Sequence, residues 1–170
     1  MTGVKKYIGI GIITIIAVVW FSRTHTPPLT ELEVGFNTWY EDVQQSLGPI
    51  GALDGVPNIT ISLKLAGSAQ APWTISTKLP GSPATTQSRD RVARLLQLTK
   101  EGRIFGLSDA STSSDAVQLE IVGAPKPFKI GFSPDAVHDN IQAQNLLKLF
   151  QVYATQPAPS APIVKAEASK

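Results

Sequence analysis

The stretch "NITISLKLAGSAQAPWTISTKL", residues 58–79, decides the fold class of this chain. It contains two segments in which apolar and polar residues alternate, as they do in a strand with one buried and one solvated face. The polar "GSAQAP" between them predicts a hairpin loop. The apolar side of the two predicted strands carries Ile59, Ile61, Leu63 and Leu65, then Trp73, Ile75, Thr77 and Leu79.

A second hairpin is predicted further along the chain. "AVQLEIVG" at 116–123 and "FKIGFS" at 128–133 alternate in the same way, and "GAPKP" joins them. The apolar run in "RIFGLS" at 103–108 predicts a further strand, so we expect a mostly antiparallel sheet of about five strands.

Helical periodicity separates these strands. A first helix is predicted from Thr30, which forms a capping box with Glu33, to the residue before Gly48. A second helix is predicted to begin with Ser88 as its cap and to end at Gly102.

A last helix is predicted at about 139–154, with Asp139 as its cap. The order is therefore α-ββ-α-β-ββ-α, an α+β fold in which helices cover one face of the sheet as a two-layer sandwich at 30–154. A hairpin followed by a helix occurs twice, at 58–101 and 116–154, and we interpret this as a quasi-repeat of low side-chain identity.

The N-terminal stretch "KKYIGIGIITIIAVVWFSRTHTPP", residues 5–28, contains no charge from Tyr7 to Phe21. It predicts a transmembrane anchor at 7–22, because flanking lysines can extend an apolar helix to the width of a bilayer. A cleaved signal peptide is the alternative, but Thr24 is a poor residue at the cleavage position.

The orientation of this anchor follows from its flanks. Lys5 and Lys6 precede the apolar run and only Arg23 follows it closely, so the positive-inside rule keeps residues 1–6 cytoplasmic. Residues 23–29 are then a juxtamembrane spacer, and the domain is predicted to lie outside the cytoplasm, on the periplasmic side of a cell inner membrane. The Pro- and Ala-rich segment at 155–170 has no core-forming pattern and is predicted to be a disordered tail.

Composition excludes several classes of function. The three basic residues beside the anchor account for the net charge of +2, and residues 24–170 carry 12 basic and 13 acidic side chains. That balance supplies no basic face for nucleic acid. The chain has no cysteine, which excludes disulfides, thiolate nucleophiles and cysteine-ligated metals.

The chain shows no recognisable catalytic motif, so we predict no catalytic, cofactor-binding or metal-binding residues and no cofactor. His138 lies near Asp135 and Asp139 in the sequence, and two carboxylates with one imidazole could suit Zn²⁺ or Mn²⁺. We prefer to interpret these residues as the polar start of a helix.

We therefore predict a non-enzymatic, membrane-anchored accessory or protein-interaction module. Its expected partners are the lipid bilayer and another membrane or envelope protein. The candidate contact residues are Trp39 and Tyr40, one of which is expected to face outward, the hairpin tip Pro125, Lys126 and Pro127, and the helix cations Arg91 and Arg94.

Two alternatives remain open at this stage. A small apolar or lipid-like ligand could bind between sheet and helices, in a cavity lined by Trp73, Phe105, Phe128 or Phe132; a hydrolase or metalloenzyme is the less favoured alternative. The first helix is also acidic and the second basic, so each either docks a partner or attracts the other within the domain. The acidic residues are Glu31, Glu33, Glu41 and Asp42, and the basic ones are Arg89, Arg91, Arg94, Lys100 and Arg103.

Overall fold

The structure, a computed structural model, describes residues 28–48, 52–65, 71–107 and 116–155. The predicted anchor, most of the spacer and the tail after residue 155 lie outside the described residues. The elements are α1 (Glu31–Leu47), β1 (Thr60–Leu65), β2 (Trp73–Ser76), α2 (Thr86–Glu101), β3 (Val117–Val122), β4 (Phe128–Phe132), α3 (Pro134–His138) and α4 (Ile141–Thr155), with short 3-10 turns at Leu53–Gly55 and Ile104–Gly106.

The strands form one antiparallel sheet of order β2-β1-β3-β4, which confirms the α+β class and both predicted hairpins. In the register, Ile61 lies opposite both Ile75 and Ile121, so the apolar residues of neighbouring strands share one face. These side chains are buried against the helices. The other face is polar. On it, for example, the Thr60 and Ser76 hydroxyl groups form a hydrogen bond with an oxygen–oxygen distance of 2.9 Å.

The two hairpin-plus-helix segments occupy corresponding places in this sheet. The first strand of each hairpin, β1 or β3, is central, and the second strand, β2 or β4, is outer. Helices α2 and α4, which follow the two hairpins, pack against each other. This arrangement is the one that a quasi-repeat would produce.

The predicted fifth strand is wrong. Residues Ile104–Gly106 form a 3-10 turn in which Ile104 and Phe105 are buried. The chain turns sharply there because Arg103 adopts a left-handed backbone conformation with φ 49°. A run of two buried apolar residues looks the same in a sequence whether it belongs to a strand or to a turn.

The start of α2 also differs from the prediction. Thr85, rather than Ser88, is the cap, and its side-chain oxygen accepts a 3.1 Å bond from the Ser88 backbone N–H. Ser88 lies three positions further on and donates its hydroxyl to the Thr77 carbonyl at 2.6 Å. Serine and threonine are both good caps, so the sequence does not distinguish Thr85 from Ser88. Thr85 is the cap because the Ser88 hydroxyl is bonded to Thr77, which directly follows β2.

At the other end of α2, Gly102 does not adopt the left-handed conformation expected of a terminating glycine. The reason for glycine there is close packing, since a Cβ at this position would lie 2.9 Å from the Cβ of Gln142 on α4.

The predicted last helix is present as α4, and a separate short helix, α3, precedes it. Ser133 caps α3, and Asn140 caps α4 by accepting bonds from the backbone N–H groups of Gln142 at 3.1 Å and Ala143 at 3.0 Å. Asp139, the predicted cap, ends α3 instead. Asn140 takes the capping position while its side-chain amide donates to the Gly102 carbonyl at 2.7 Å, a tertiary bond.

Candidate interaction surfaces

The expectation that either Trp39 or Tyr40 faces outward is wrong, because their exposed fractions are 9% and 7%. Strand and turn residues cover this side of α1. The Trp39 and Phe128 ring centroids lie 5.5 Å apart, and those of Phe36 and Phe105 lie 4.8 Å apart. These aromatic contacts stabilise the docking of α1 on the domain.

The two predicted cations of α2 lie in different environments. Arg91 is buried and its guanidinium lies 5.3 Å from the centre of the Tyr153 ring, so it joins α2 to the end of α4. Arg94 is exposed and donates to the Gln97 side-chain oxygen at 3.0 Å. Only Arg94 therefore remains on the surface as a candidate contact.

The hairpin tip lies at the surface as a compact projection. Pro125, Lys126 and Pro127 are all exposed between β3 and β4. Gly123 begins the loop with φ 136°, a conformation that side chains rarely adopt, and a Cβ there would lie 2.9 Å from the Asn58 carbonyl oxygen. The direction of the tip is thus set by a close backbone contact.

The outer strands of the sheet are a second exposed feature. Within the described residues, β2 and β4 each pair with one neighbouring strand only. Trp73, the first residue of β2, is 40% exposed. The unpaired edge of an outer strand can accept a strand from another chain, and an exposed aromatic beside it offers a side-chain contact.

A buried ion pair joins the start of α1 to the turn after α2. The Arg103 guanidinium donates to the Glu33 carboxylate at 2.8 Å through Nε and at 3.2 Å through Nη2, and Glu33 is 3% exposed. The Thr30 backbone N–H donates to the same carboxylate at 2.8 Å. Gly106 allows this approach, because a Cβ there would lie 2.7 Å from the Glu33 carboxylate.

These contacts set the protonation of the buried ion pair. Burial acts to raise the pKa of Glu33, but the hydrogen bonds and charge of Arg103 and the bonds from Thr30 outweigh it and hold that pKa below its ordinary value. The same hydrogen bond raises the pKa of the Arg103 guanidinium. The pair therefore stays charged at neutral pH.

An exposed ion pair connects α1 to the last turn of α2. The Lys100 ammonium lies 3.0 Å from a Glu41 carboxylate oxygen and 5.2 Å from the centre of the Tyr40 ring. With the buried ion pair, it shows that acidic α1 and the basic residues of α2 and its following turn attract each other within the domain. This accounts for part of the charge asymmetry in the sequence.

A groove runs along the outer side of these two helices, and we call it the outer groove. It has a volume of about 550 Å³ and brings together two of the predicted contact residues, Tyr40 and Arg94. The full lining is Tyr40, Gln44, Leu47, Gly48, Asp90, Ala93, Arg94, Gln97, Lys100 and Glu101.

The sequence did not single out Gln44 and Gln97. Gln44 follows Tyr40 by four positions and Gln97 follows Ala93 by four, so helical spacing places each pair on one side of its helix. This spacing is the signal that a sequence can provide for these residues. It does not show which side of each helix remains uncovered when α1 and α2 pack together.

The described residues contain no cluster of three or more His, Asp or Glu side chains that could hold a metal ion. His138 and Asp139 are both exposed, and their side chains lie 3.1 Å apart at the end of α3. They contact each other, but among the described residues no further side chain joins them to complete a metal-binding cluster.

The four rings of the ligand-cavity alternative lie in different surroundings. Phe132 is fully buried, and the Phe105 and Phe128 centroids lie 5.7 Å apart in direct ring contact. Trp73 lies at the edge of the sheet instead. Phe105 and Phe132 belong to the buried core, and Phe128 packs against it.

No known protein family matches this chain, and neither a curated protein nor a solved structure shows significant similarity to it. Among the described residues, no helix combines the length and apolar character needed to cross a membrane. The predicted anchor at 7–22 lies outside them.

Proposed function

We propose that this chain is a non-enzymatic interaction module held at a membrane by its N-terminal segment, with its α+β domain on the periplasmic side of a cell inner membrane. The observation that carries the proposal is the uncharged run from Tyr7 to Phe21 behind Lys5 and Lys6. An apolar run of this kind partitions into lipid, and the basic flank favours a cytoplasmic N-terminus.

The way in which the domain begins supports a position close to the bilayer. The Arg103 guanidinium donates to the Pro28 carbonyl at 3.3 Å, and the Thr30 hydroxyl donates to the Phe105 carbonyl at 3.3 Å. The chain is therefore tied to the domain from its first described residues. Residues 23–29 span at most about 25 Å when extended, which keeps the domain near the lipid surface.

A domain held this close to the bilayer meets membrane-bound partners at high local concentration. The partners proposed are the bilayer itself and another membrane or envelope protein. The hairpin tip at 123–127 and the outer edge of β2 beside Trp73 are the surfaces that we assign to that protein, because both are exposed.

Single cysteines test the topology, since the natural chain has none. We expect Lys126→Cys at the hairpin tip to react with a membrane-impermeant maleimide in intact spheroplasts, and Thr2→Cys to react only after lysis. The protein should also remain in the membrane fraction after carbonate washing. Labelling of Thr2→Cys without lysis, or recovery of the protein in the soluble fraction, would refute the proposal.

The contact surface is tested with a photo-crosslinking side chain placed at Lys126. Lys129 is the matched control, because it is also an exposed lysine of the second hairpin but lies on the polar face of the sheet. We expect a membrane protein to be captured from position 126 and not from 129. Equal capture from both positions would exclude the tip as the specific contact.

A further inference from the structure

The outer groove is polar at its rim, and its charged side chains already have hydrogen-bond or ion-pair partners within the domain. Lys100 pairs with Glu41, Arg94 donates to Gln97 at 3.0 Å, and Gln97 donates to Glu101 at 2.7 Å. A charged occupant would have to compete with these contacts. The groove is therefore suited to an uncharged occupant that accepts hydrogen bonds.

The floor of the groove is apolar. Tyr40 and Leu47 contribute buried surface from α1, and Ala93 contributes a partly buried methyl group from α2. Small, rigid apolar groups such as proline rings fit a shallow surface of this kind at low conformational cost. The Gln44 amide and the Arg94 guanidinium on the walls supply donors beside that floor.

The C-terminal segment of the chain starts at α2, the helix that forms one wall of the groove. Helix α4 ends at Thr155, and the nearby Tyr153 ring contacts Arg91 on α2. Arg91 is preceded directly by Asp90, which lines one end of the groove. Residue 156 therefore follows a helix whose last turn is held against α2, one position along the chain from a residue that lines the groove.

The segment is long enough to follow the groove. On α2 the groove extends from Asp90 to Glu101, which is about 17 Å at the rise of an α-helix. The seven residues "QPAPSAP" at 156–162 would extend about 22 Å in a polyproline II conformation, and eight more residues follow them in the sequence.

The chemistry of 156–162 matches the groove. The seven residues carry no charge and include three prolines. A polyproline II strand makes no internal hydrogen bonds, so its carbonyl oxygens need donors from elsewhere. The Gln44 and Arg94 side chains offer such donors, and the proline rings would contact Tyr40 and Ala93.

We propose that residues 156–162 bind in the outer groove of their own chain as a polyproline II strand. Bound there, the segment covers Tyr40 and Arg94 and competes with any Pro-rich segment of a partner for the same groove. This inference does not rest on membrane anchoring, because it uses only the groove, the end of α4 and the sequence that follows it.

Cysteine crosslinking in the detergent-solubilised full chain tests the proposal. Ser160→Cys is combined with Gln97→Cys in the groove or, as the matched control, with Lys129→Cys on the opposite, polar face of the sheet, and a short bis-maleimide is added. We expect the groove pair to crosslink about tenfold more than the control pair, because a bound segment raises the effective concentration at one site only. The yield should not change when the protein is diluted.

Two further measurements separate a specific site from random contact. Ala93→Arg fills the floor of the groove, and replacing Pro157, Pro159 and Pro162 with alanine weakens the polyproline II strand; each should reduce the groove crosslink about fivefold. Circular dichroism checks that Ala93→Arg still folds, and the proline variant changes no residue of the domain. An excess of a synthetic QPAPSAP peptide should also reduce the crosslink.

The proposal is overturned by three results. Equal yields with Gln97→Cys and Lys129→Cys would mean that the segment has no preferred site. A yield that falls on dilution would mean that the segment of a second copy occupies the groove. No crosslink to Gln97→Cys in any variant would mean that the groove is not its binding place.

Discussion

The interface between α1 and the α2 region contains two ion pairs of similar length and very different surroundings. Glu33 meets Arg103 at 2.8 Å and Glu41 meets Lys100 at 3.0 Å. Glu33 is 3% exposed and also accepts a bond from the Thr30 amide, whereas the Glu41 side chain is 65% exposed. The comparison shows that burial and the number of hydrogen bonds distinguish the two pairs, and that distance does not.

The helix itself creates this difference. Glu33 and Glu41 are eight residues apart, which corresponds to two turns plus a rotation of about 80°. The rotation brings Glu33 under the turn at Ile104–Gly106 and leaves Glu41 at the surface. Two acidic residues of one helix therefore contribute differently to stability.

The largest effect is expected for Glu33→Ala. It should lower the free energy of unfolding by about 2–3 kcal/mol, because the Thr30 amide and Arg103 lose a buried, charged acceptor. The loss stays below the roughly 3–5 kcal/mol typical of a fully buried ion pair, since Arg103 is partly exposed. Urea unfolding of the detergent-solubilised chain, followed by tryptophan fluorescence, measures it. Glu31→Ala, an exposed carboxylate in the same first turn, is the control, and equal losses for the two variants would contradict the comparison.

A smaller effect is expected for Gly106→Ala. The added methyl group would meet the Glu33 carboxylate at 2.7 Å, so the buried ion pair must shift, at a loss of about 1–2 kcal/mol. Gly55→Ala is the matched control, because a Cβ there meets nothing within 4 Å. If both glycine variants unfold at the same urea concentration, the close contact at Gly106 does not exist in solution.

The pH dependence of stability should separate the two pairs further. The pKa of Glu33 in the folded chain lies below its ordinary value of 4.5, so its stabilisation is fully present above that value and is lost as pH falls through the lower folded pKa. The difference in unfolding free energy between the natural chain and Glu33→Gln should be constant from pH 7 to about 5 and shrink below about 4.5. A difference that does not change down to pH 2.5 would show that the carboxylate is not held by Arg103.

The smallest effect is expected for Glu41→Ala, a loss below about 0.5 kcal/mol, because an exposed pair gains little in water. Lys100→Ala should be slightly more destabilising, since the ammonium also lies over the Tyr40 ring. Raising the salt concentration should reduce the loss for Glu41→Ala more than the loss for Glu33→Ala. If Glu41→Ala and Glu33→Ala lowered the free energy of unfolding equally, burial would not distinguish the two ion pairs.

Periodicity predicted much of the fold. Both hairpins and the capping box at Thr30 are confirmed, because alternation and capping depend on residues that are close in the chain. The turn at Ile104–Gly106, the cap at Thr85 and the cap at Asn140 were missed. Each of these depends on a partner that is distant in the sequence or on an unusual backbone conformation.

The candidate contact surface was predicted less well. One of Trp39 and Tyr40 was expected to face outward, but both are buried: the Phe128 ring packs against Trp39, and the Lys100 ammonium lies over the Tyr40 ring. The hairpin tip and Arg94 are at the surface as expected. Gln44 and Gln97 line the same groove only because α1 and α2, which are far apart in the chain, lie side by side.

The sequence by itself determined the fold class, the two hairpins, the apolar N-terminal run and the uncharged, proline-rich segment at 156–162, because these are local patterns of polarity and backbone preference. The tertiary structure alone decided which glutamate of α1 is buried, which aromatics are covered and where the outer groove lies. The physical reason is that burial depends on which surfaces meet when the helices pack on the sheet, and no local pattern contains that information.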